Sequence, residues 1–205
     1  LWAGLPLVNE PGTRFNYSHA TDVLGRLVEV LSGIPFDQFL RERIFQPLGM
    51  RDSRAWVPEE GAGRLAGLYG PHPETLRAIR CDAMDRITRQ RPVCCLGGDG
   101  LVSTAADYHR FTQMLRRGGE LDGVRLLGNR TLRYMTRNHL PGGVDLEAFG
   151  RPLFAETTFD GVGYGLGFSV ALDPVANKVL ASPGEFAWGG AASTAFWVDP
   201  VEDIT

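Results

Sequence analysis

The sequence is short of lysine and of net positive charge. Lys178 is the only lysine among 205 residues, so the remaining basic residues are arginines. The formal net charge is −3 and the isoelectric point is about 5.8. A chain with this balance has no broad basic field to attract nucleic acid or an anionic membrane surface. We therefore expect neither as a main partner.

Cysteine and long apolar runs are also scarce. Cys81, Cys94 and Cys95 are odd in number, and the adjacent pair cannot bridge in ordinary disulfide geometry, so nothing requires an oxidising compartment. No CxxC or HExxH occurs, and we expect no metal or cofactor. No apolar run approaches the roughly 20 residues that span a bilayer, and no charged leader precedes LWAGLPLV. These features favour the cytoplasm over secretion.

The composition is that of a globular protein with a sizeable core. Hydrophobic residues make up 43% of the chain and charged residues 22%, which predicts one or two domains. Helical periodicity dominates the first part and strand-like alternation the last. We predict a mainly helical region with long irregular loops over 1–155 and strands of an antiparallel sheet over 156–205.

One stretch, PGTRFNYSHATDVLGRLVEVLSG, organises the first part of the chain. Pro11 and Gly12 predict a turn. A helix is predicted from Asp22, with Ser18 or His19 near its N-cap and Gly33 at its end. Its apolar stripe should pack inward. The predicted stripe consists of Val23, Leu24, Leu27, Val28 and Leu31.

Tyr17 would then lie just before the N-terminus of this helix. A phenol with an ordinary pKa near ~10 is a poor base at neutral pH unless a cation lies beside it. On this stretch alone, a half-buried aromatic that packs on the helix entry is the preferred interpretation. A role in proton transfer needs support from elsewhere in the sequence.

Further helices are predicted from spacing and caps. An amphipathic segment from Phe36 is ended by Pro47, and 51–95 is irregular. Thr104 and Asp107 form a capping box before a helix that stops at Gly118 and Gly119. Another short helix is predicted over 129–138.

The last part is predicted to be strands. The segment GYGLGFSVAL alternates large apolar residues with small or polar ones, and a return strand is predicted over 178–181. Trp188, Gly189 and Gly190 are predicted at the start of a strand that runs to Val198.

Three familiar catalytic patterns do not fit. Ser18 and His19 are consecutive and should point apart, so with Asp22 they form a helix cap more readily than a catalytic triad. No serine lies in GxSxG, which argues against an α/β-hydrolase. The GGDG run at 97–100 lacks both the Walker lysine spacing and GxGxxG, and its aspartate would repel a phosphate.

Five segments in order carry a more specific signal. They are YSHA opening a helix, FLRERIFQPLGMRDS, GGDGLVSTAADYHRF, YGLGFSV and WGG. The chain resembles the serine hydrolases of the class C β-lactamase and penicillin-binding-protein fold, most closely family VIII carboxylesterases and related acyltransferases. The resemblance implies an α+β fold of β-lactamase/transpeptidase type, in which this chain supplies a helical region and part of an antiparallel sheet, incomplete at both ends.

The resemblance also implies roles for six residues. Tyr17 is similar to the relay tyrosine of Y-x-N, and His19 takes the asparagine position. Trp188, Gly189 and Gly190 fall on the K-T-G position, where they would bind substrate. The backbone N–H of Ala191 would be an oxyanion-hole donor. Because Trp188 removes a cation that would meet a substrate carboxylate, small neutral esters are favoured over penicillins.

One family motif is missing. No serine is followed three residues later by lysine, so S-x-x-K is absent and the nucleophile is expected outside this chain, on a longer parent or a companion chain. The chain alone is then expected to be inactive. Alternatives are an acyltransferase, a weak β-lactamase or D-amino peptidase, or a non-catalytic ligand-binding relative. Gly98, Gly100, Gly165 and Gly167 are expected to serve the fold rather than chemistry.

Overall fold

A computed structural model of the chain describes residues 4–82, 88–150 and 158–205. Contacts divide the chain into two units. The first unit comprises Leu1–Ser18 and Thr112–Thr205, and the second comprises His19–Phe111. The predicted boundary at residue 155 lies outside the described residues.

The first helix of the second unit is α1, Ala20–Ser32. The predicted stop is confirmed, because Gly33 has φ 74° and its N–H donates to the Glu29 carbonyl. The predicted packing is wrong. α1 buries Asp22 and Gly25, whereas Leu27 of the expected inner stripe is 47% exposed and Leu31 is 78% exposed.

Glycine explains which face of α1 is buried. A Cβ placed at Gly25 would lie 3.2 Å from the backbone nitrogen of Gly97 and 3.4 Å from the Phe36 ring. The loop at 97–98 can therefore approach the helix only on the side that carries no side chain at position 25. Of the predicted stripe, Val23, Leu24, Leu27 and Leu31 are exposed, whereas Val28 is half-buried.

The predicted second helix is present in two parts. α2, Phe36–Leu40, continues into a π-helical turn, Arg41–Phe45, before Pro47. The irregular segment that follows contains a 3₁₀ turn, Glu59–Arg64, and a small hairpin of β1, Tyr69–Pro71, and β2, Ala78–Arg80. Among the described residues of this unit, the buried apolar ones are Phe45, Leu48, Met50, Val57 and Ala62.

Helix α3, Ala105–Arg116, begins at the predicted capping box. The Asp107 N–H donates to Thr104 Oγ1 at 3.1 Å, as expected. The buried Asp107 carboxylate accepts instead from the Asp52 N–H at 2.7 Å and from Ser53 Oγ at 2.9 Å. It therefore ties α3 to the start of the irregular segment.

Short elements follow in the first unit. β3, Glu120–Leu121, pairs with β4, Val124–Arg125. α4, Asn129–Met135, confirms the predicted short helix. A 3₁₀ turn, Pro141–Gly143, and α5, Leu146–Phe149, come next.

A small core lies beside these elements. Leu140, Leu146 and Val162 are buried together. The half-buried side chains packed against them are Phe15, Phe149, Phe159 and Tyr164.

A four-stranded antiparallel sheet completes the first unit, in the order β5-β6-β7-β8. The strands are β5, Val162–Tyr164; β6, Ser169–Ala171; β7, Phe186–Gly190; and β8, Thr194–Val198. Antiparallel strands at the end of the chain confirm that part of the sequence-based expectation.

Two predictions about the segment from 162 to 181 are wrong. The GYGLGFSVAL segment is a hairpin rather than one strand, because the chain turns between Tyr164 and Ser169 and Gly167 has φ 103°. The predicted return strand at 178–181 is absent from this described part of the chain. Asp173 caps helix α6, Pro174–Asn177, and Lys178 closes it with φ 61°.

Trp188, Gly189 and Gly190 end a strand rather than start one. The Ser193 N–H donates to the Gly190 carbonyl at 3.0 Å, which closes a tight turn between β7 and β8. No helix within the described ranges is both long and apolar enough to cross a bilayer.

Candidate active site

The first unit brings Tyr17 and Trp188 together. Their rings stack with centroids 5.9 Å apart and an interplanar angle of 26°. Tyr17 is 64% exposed and Trp188 is half-buried, so the stacked pair faces solvent on the tyrosine side. Two residues that lie far apart in the sequence, Tyr17 and Trp188, therefore meet in the first unit.

The backbone before Tyr17 is fixed by local contacts. The Phe15 N–H donates to the Phe149 carbonyl at 3.1 Å, and Phe15 forms a parallel bridge with Gly150. Its ring lies 4.8 Å from that of Tyr164. These contacts hold Phe15, two residues before Tyr17, against the end of α5 and the end of β5.

The aromatic cluster of Tyr17 and Trp188 also contains Tyr164, a residue to which sequence reasoning gave no role. Its ring meets Trp188 edge to face, with centroids 5.4 Å apart. The Tyr164 N–H donates to Asn138 Oδ1 at 3.1 Å, which fixes the end of β5. The only available sequence signal was its position in the YGLG motif.

Tyr164 is also more strongly desolvated than an exposed phenol. Burial, and then the neighbouring Tyr17 phenol, raises the pKa of Tyr164 above its ordinary value. Tyr164 therefore stays neutral at physiological pH and can donate a hydrogen bond, whereas Tyr17 is the solvent-accessible phenol of the pair.

Gly189, Gly190 and Ala191 lie next to Trp188 at the exposed end of β7. A Cβ at Gly190 would come within 2.4 Å of Thr194 Oγ1, so the close hairpin pairing requires glycine there. Ala191 is the first central residue of the turn and is exposed. Within the described residues its backbone N–H donates no hydrogen bond, so it is available to a ligand.

His19 belongs to the second unit and is the N-cap residue of α1. Its side chain makes no capping bond. Instead His19 Nδ1 lies 2.6 Å from Asp22 Oδ2, and the Asp22 Oδ1 atom accepts from the Gly98 N–H at 2.7 Å. The buried carboxylate thus orients the imidazole and anchors the 97–98 loop.

Hydrogen bonding decides the ionisation of Asp22. Burial alone would raise the pKa of this carboxyl, but the bonds from His19 and Gly98 outweigh burial and lower its pKa. Asp22 is therefore charged at neutral pH. Sequence reasoning placed Asp22 at the start of the helix and missed its contact with Gly98, because that contact joins distant segments.

The described ranges contain no group of three or more histidine, cysteine, aspartate or glutamate side chains able to hold a metal ion. An accessible phenol stacked on an indole ring is suited to proton transfer. An unbonded backbone N–H is suited to binding a developing oxyanion.

Comparisons with known proteins identify the family to which the chain belongs. The Beta-lactamase family model matches residues 2–205. Protein Rv1367c of Mycobacterium tuberculosis is 37% identical over 98% of this chain and 50% of its own length. The lovastatin esterase of Penicillium rubens is 32% identical over 95% of this chain and 49% of its own length.

A solved structure shows the same fold. EstCE1, described as a hydrolase with promiscuous acyltransferase activity, superposes with a TM-score of 0.79 at 25% identity. The superposition covers 98% of this chain and 52% of EstCE1. The chain spans about half the length of the curated relatives it matches. Since the family model covers almost every residue, the chain belongs to the beta-lactamase family and has its α+β fold.

Proposed function

We propose that this chain is part of a serine hydrolase that cleaves small neutral esters through an acyl-enzyme. The nucleophilic serine and its lysine lie outside these residues, because the sequence contains no S-x-x-K and its single lysine closes α6. They belong to a longer parent polypeptide or to a companion chain. The 205 residues alone are then inactive.

The contact between Tyr17 and Trp188 carries the proposal. It joins the two segments to which the family resemblance gives catalytic and substrate-binding roles, at 5.9 Å between ring centroids. In the proposed mechanism Tyr17 moves a proton between the serine and the leaving alkoxide. The cation that activates this phenol for proton transfer comes with the nucleophile.

The turn after β7 supplies the oxyanion donor in the proposed mechanism. The Ala191 N–H, unbonded within the described residues, stabilises the oxyanion of the tetrahedral intermediate. Trp188 presents an aromatic face to the substrate, while Gly189 and Gly190 let it approach the strand backbone. His19 contributes a substrate contact from the start of α1. No cationic side chain stands at the position of Trp188, which favours a neutral ester.

Acyl transfer to an alcohol is the second candidate activity. EstCE1 is described as a hydrolase with promiscuous acyltransferase activity. Tyr17 is 64% exposed, so an alcohol could reach it in place of water. Adding a primary alcohol to the assay and measuring the new ester separates the two outcomes.

The test needs an active polypeptide. A chimera in which these 205 residues replace the matched half of the Penicillium rubens lovastatin esterase supplies the rest of the fold. Tyr17→Phe should reduce kcat/KM for p-nitrophenyl butyrate by roughly 10²- to 10⁴-fold, the usual effect of a general acid–base group. Tyr134→Phe is the matched control, because Tyr134 is similarly exposed at 60%.

A second variant removes the oxyanion donor. Proline is compatible with the first central position of a turn, so Ala191→Pro deletes only the N–H. It should lower kcat by roughly 10²- to 10³-fold with an unchanged melting temperature. Full turnover by the Tyr17→Phe chimera, or by the isolated chain, contradicts the proposal.

A further inference from the structure

The sheet of the first unit carries a cavity on one face. Its volume is about 190 Å³, and residues of β5, β6 and β7 line it. Ser169 of β6 lies directly opposite Ala187 of β7, and both contribute to the wall. Because successive side chains of a strand point to opposite faces, Ala187 and Trp188 belong to different faces of β7. The cavity therefore lies behind the sheet as seen from the aromatic cluster.

Two side chains of the cavity carry oxygen atoms without a hydrogen-bond donor. Glu185, the residue before β7, is half-buried, and no described residue donates to its carboxylate or forms an ion pair with it. Asn177, at the end of α6, also lines the cavity, and its Oδ1 atom is buried with no partner among the described residues. Buried acceptors are normally hydrogen-bonded, so these oxygens suit a ligand that donates.

The charges near the cavity favour a cation. Burial, and then the neighbouring Asp199 carboxylate, raises the pKa of Glu185 above its ordinary value. Asp199 is 2% exposed, and its oxygens accept from three backbone N–H groups. A positive charge placed beside Glu185 would therefore meet two carboxylates, whereas an anion would be repelled by both.

The rest of the wall is suited to hydrocarbon. Phe159, Val162 and Ala171 supply apolar surface. A cavity of roughly 150 Å³ with apolar walls holds benzene, so about 190 Å³ has room for one six-membered ring and a short polar group. Ser169 adds a further acceptor, because its Oγ atom donates to the Ala187 carbonyl at 2.8 Å and keeps its lone pairs.

We propose that this cavity binds a small primary amine in its ammonium form. The charged group lies at Glu185 and Asn177, and the hydrocarbon part lies against Phe159 and Val162. An ammonium has three N–H donors and no acceptor, which matches a wall whose available polar atoms are acceptors. This site is independent of the proposed ester hydrolysis.

A lysine side chain is the competing occupant with the same chemistry. Lys178 follows Asn177 in the sequence, but it is exposed and forms no ion pair with any described carboxylate. Its substitution by glutamine removes the only lysine of the chain. Lys178→Gln should therefore leave amine binding unchanged, whereas a lysine that fills the cavity would make the variant bind more tightly.

The first experiment measures the binding of benzylamine, which combines one ammonium with one ring. Isothermal titration of the 205-residue chain at pH 7 should show saturable binding with a Kd of roughly 1 mM or lower. Benzyl alcohol has nearly the same shape without the charge. It should bind at least tenfold more weakly, because hydrogen bonds between charged groups are stronger than those of neutral groups.

The second experiment separates binding from folding. Glu185→Gln should raise the Kd of benzylamine at least tenfold. Without ligand it should not lower the melting temperature, since it removes a charge that Asp199 repels. A residue that served only the fold would behave in the opposite way. Asn177→Ala should raise the Kd roughly fivefold. Glu147→Gln is the control, because Glu147 is an exposed carboxylate elsewhere in the same unit.

The lovastatin esterase chimera tests the same site in a longer polypeptide. It should bind benzylamine with a similar Kd, and Glu185→Gln should weaken that binding equally. Binding by the isolated chain alone would mean that residues outside these 205 occupy the cavity, and it overturns the proposal. Equal affinity for benzyl alcohol, an unchanged Kd in Glu185→Gln, or tighter binding by Lys178→Gln also overturns it.

Discussion

Replacing the Asp22 carboxylate tests how the start of α1 is held. Asp22 is 8% exposed and accepts from the Gly98 N–H at 2.7 Å, while its other oxygen lies 2.6 Å from His19 Nδ1. Hydrogen bonds to a charged group contribute about 1.5–3 kcal/mol each. Asp22→Asn keeps the shape and one acceptor oxygen but loses the charge, so we expect a loss of about 2–3 kcal/mol.

The loss can be measured on the 205-residue chain. A protein of this size loses about 2–4 °C in melting temperature per kcal/mol, so the midpoint should fall by roughly 4–12 °C at pH 7. Circular dichroism melts give the midpoint. Glu60→Gln is the control, because Glu60 is an exposed carboxylate of the same unit.

The pH dependence gives a second readout. The pKa of Asp22 is lowered from 3.8 in the folded chain, so the unfolded chain binds a proton first as pH falls. The stability that the carboxylate contributes is complete well above pH 3.8 and is lost as pH falls through the lower folded value. The gap between wild type and Asp22→Asn should therefore be smaller at pH 3 than at pH 7. Equal melting at pH 7, or a gap that does not narrow in acid, would refute the reasoning.

Three further substitutions test close contacts, all by thermal melts of the isolated chain. Gly97→Ala should destabilise by more than about 3 kcal/mol, because its Cβ would lie 2.1 Å from the Thr21 carbonyl oxygen, while Gly63→Ala, with nothing within 4 Å, should be neutral. Asp199→Asn should cost about 2–3 kcal/mol at pH 7 and less in acid, because backbone N–H bonds lower the pKa of this 2% exposed carboxyl although burial would raise it. Trp188→Ala should abolish the near-ultraviolet signal of the aromatic cluster and cost at most about 3 kcal/mol, since Trp188 is only half-buried.

The sequence predicted elements whose causes are local. The end of α1 at Gly33 and the start of α3 at Thr104 follow from caps that involve residues three or four positions apart. The order of five motifs led to the correct family. These features do not depend on which distant segments come into contact.

The errors concern long-range packing. Amphipathic periodicity gives the direction of an apolar face but not what lies against it, and for α1 the described chain covers the opposite face. The strand errors near Gly167 and Ser193 arose because both positions take positive φ, which converts an alternating run into a hairpin. A serine at φ 57° carries no such signal in sequence.

The candidate site was predictable only in part. Tyr17 and Trp188 were selected from the resemblance, and they meet in the first unit. Tyr164 received no role, because its place beside Trp188 depends on Asn138 fixing the end of β5. The catalytic and binding roles given to Tyr17, His19 and Ala191 remain predictions.

The strand order of the sheet bears on how the chain folds. Each strand pairs with its neighbour in sequence, and two of the three connections are tight turns. Loop closure in such a meander costs little conformational entropy, so its pairings can form without waiting for distant parts of the polypeptide. The four strands can therefore pair as soon as residues 162–198 have been synthesised, independently of every other segment.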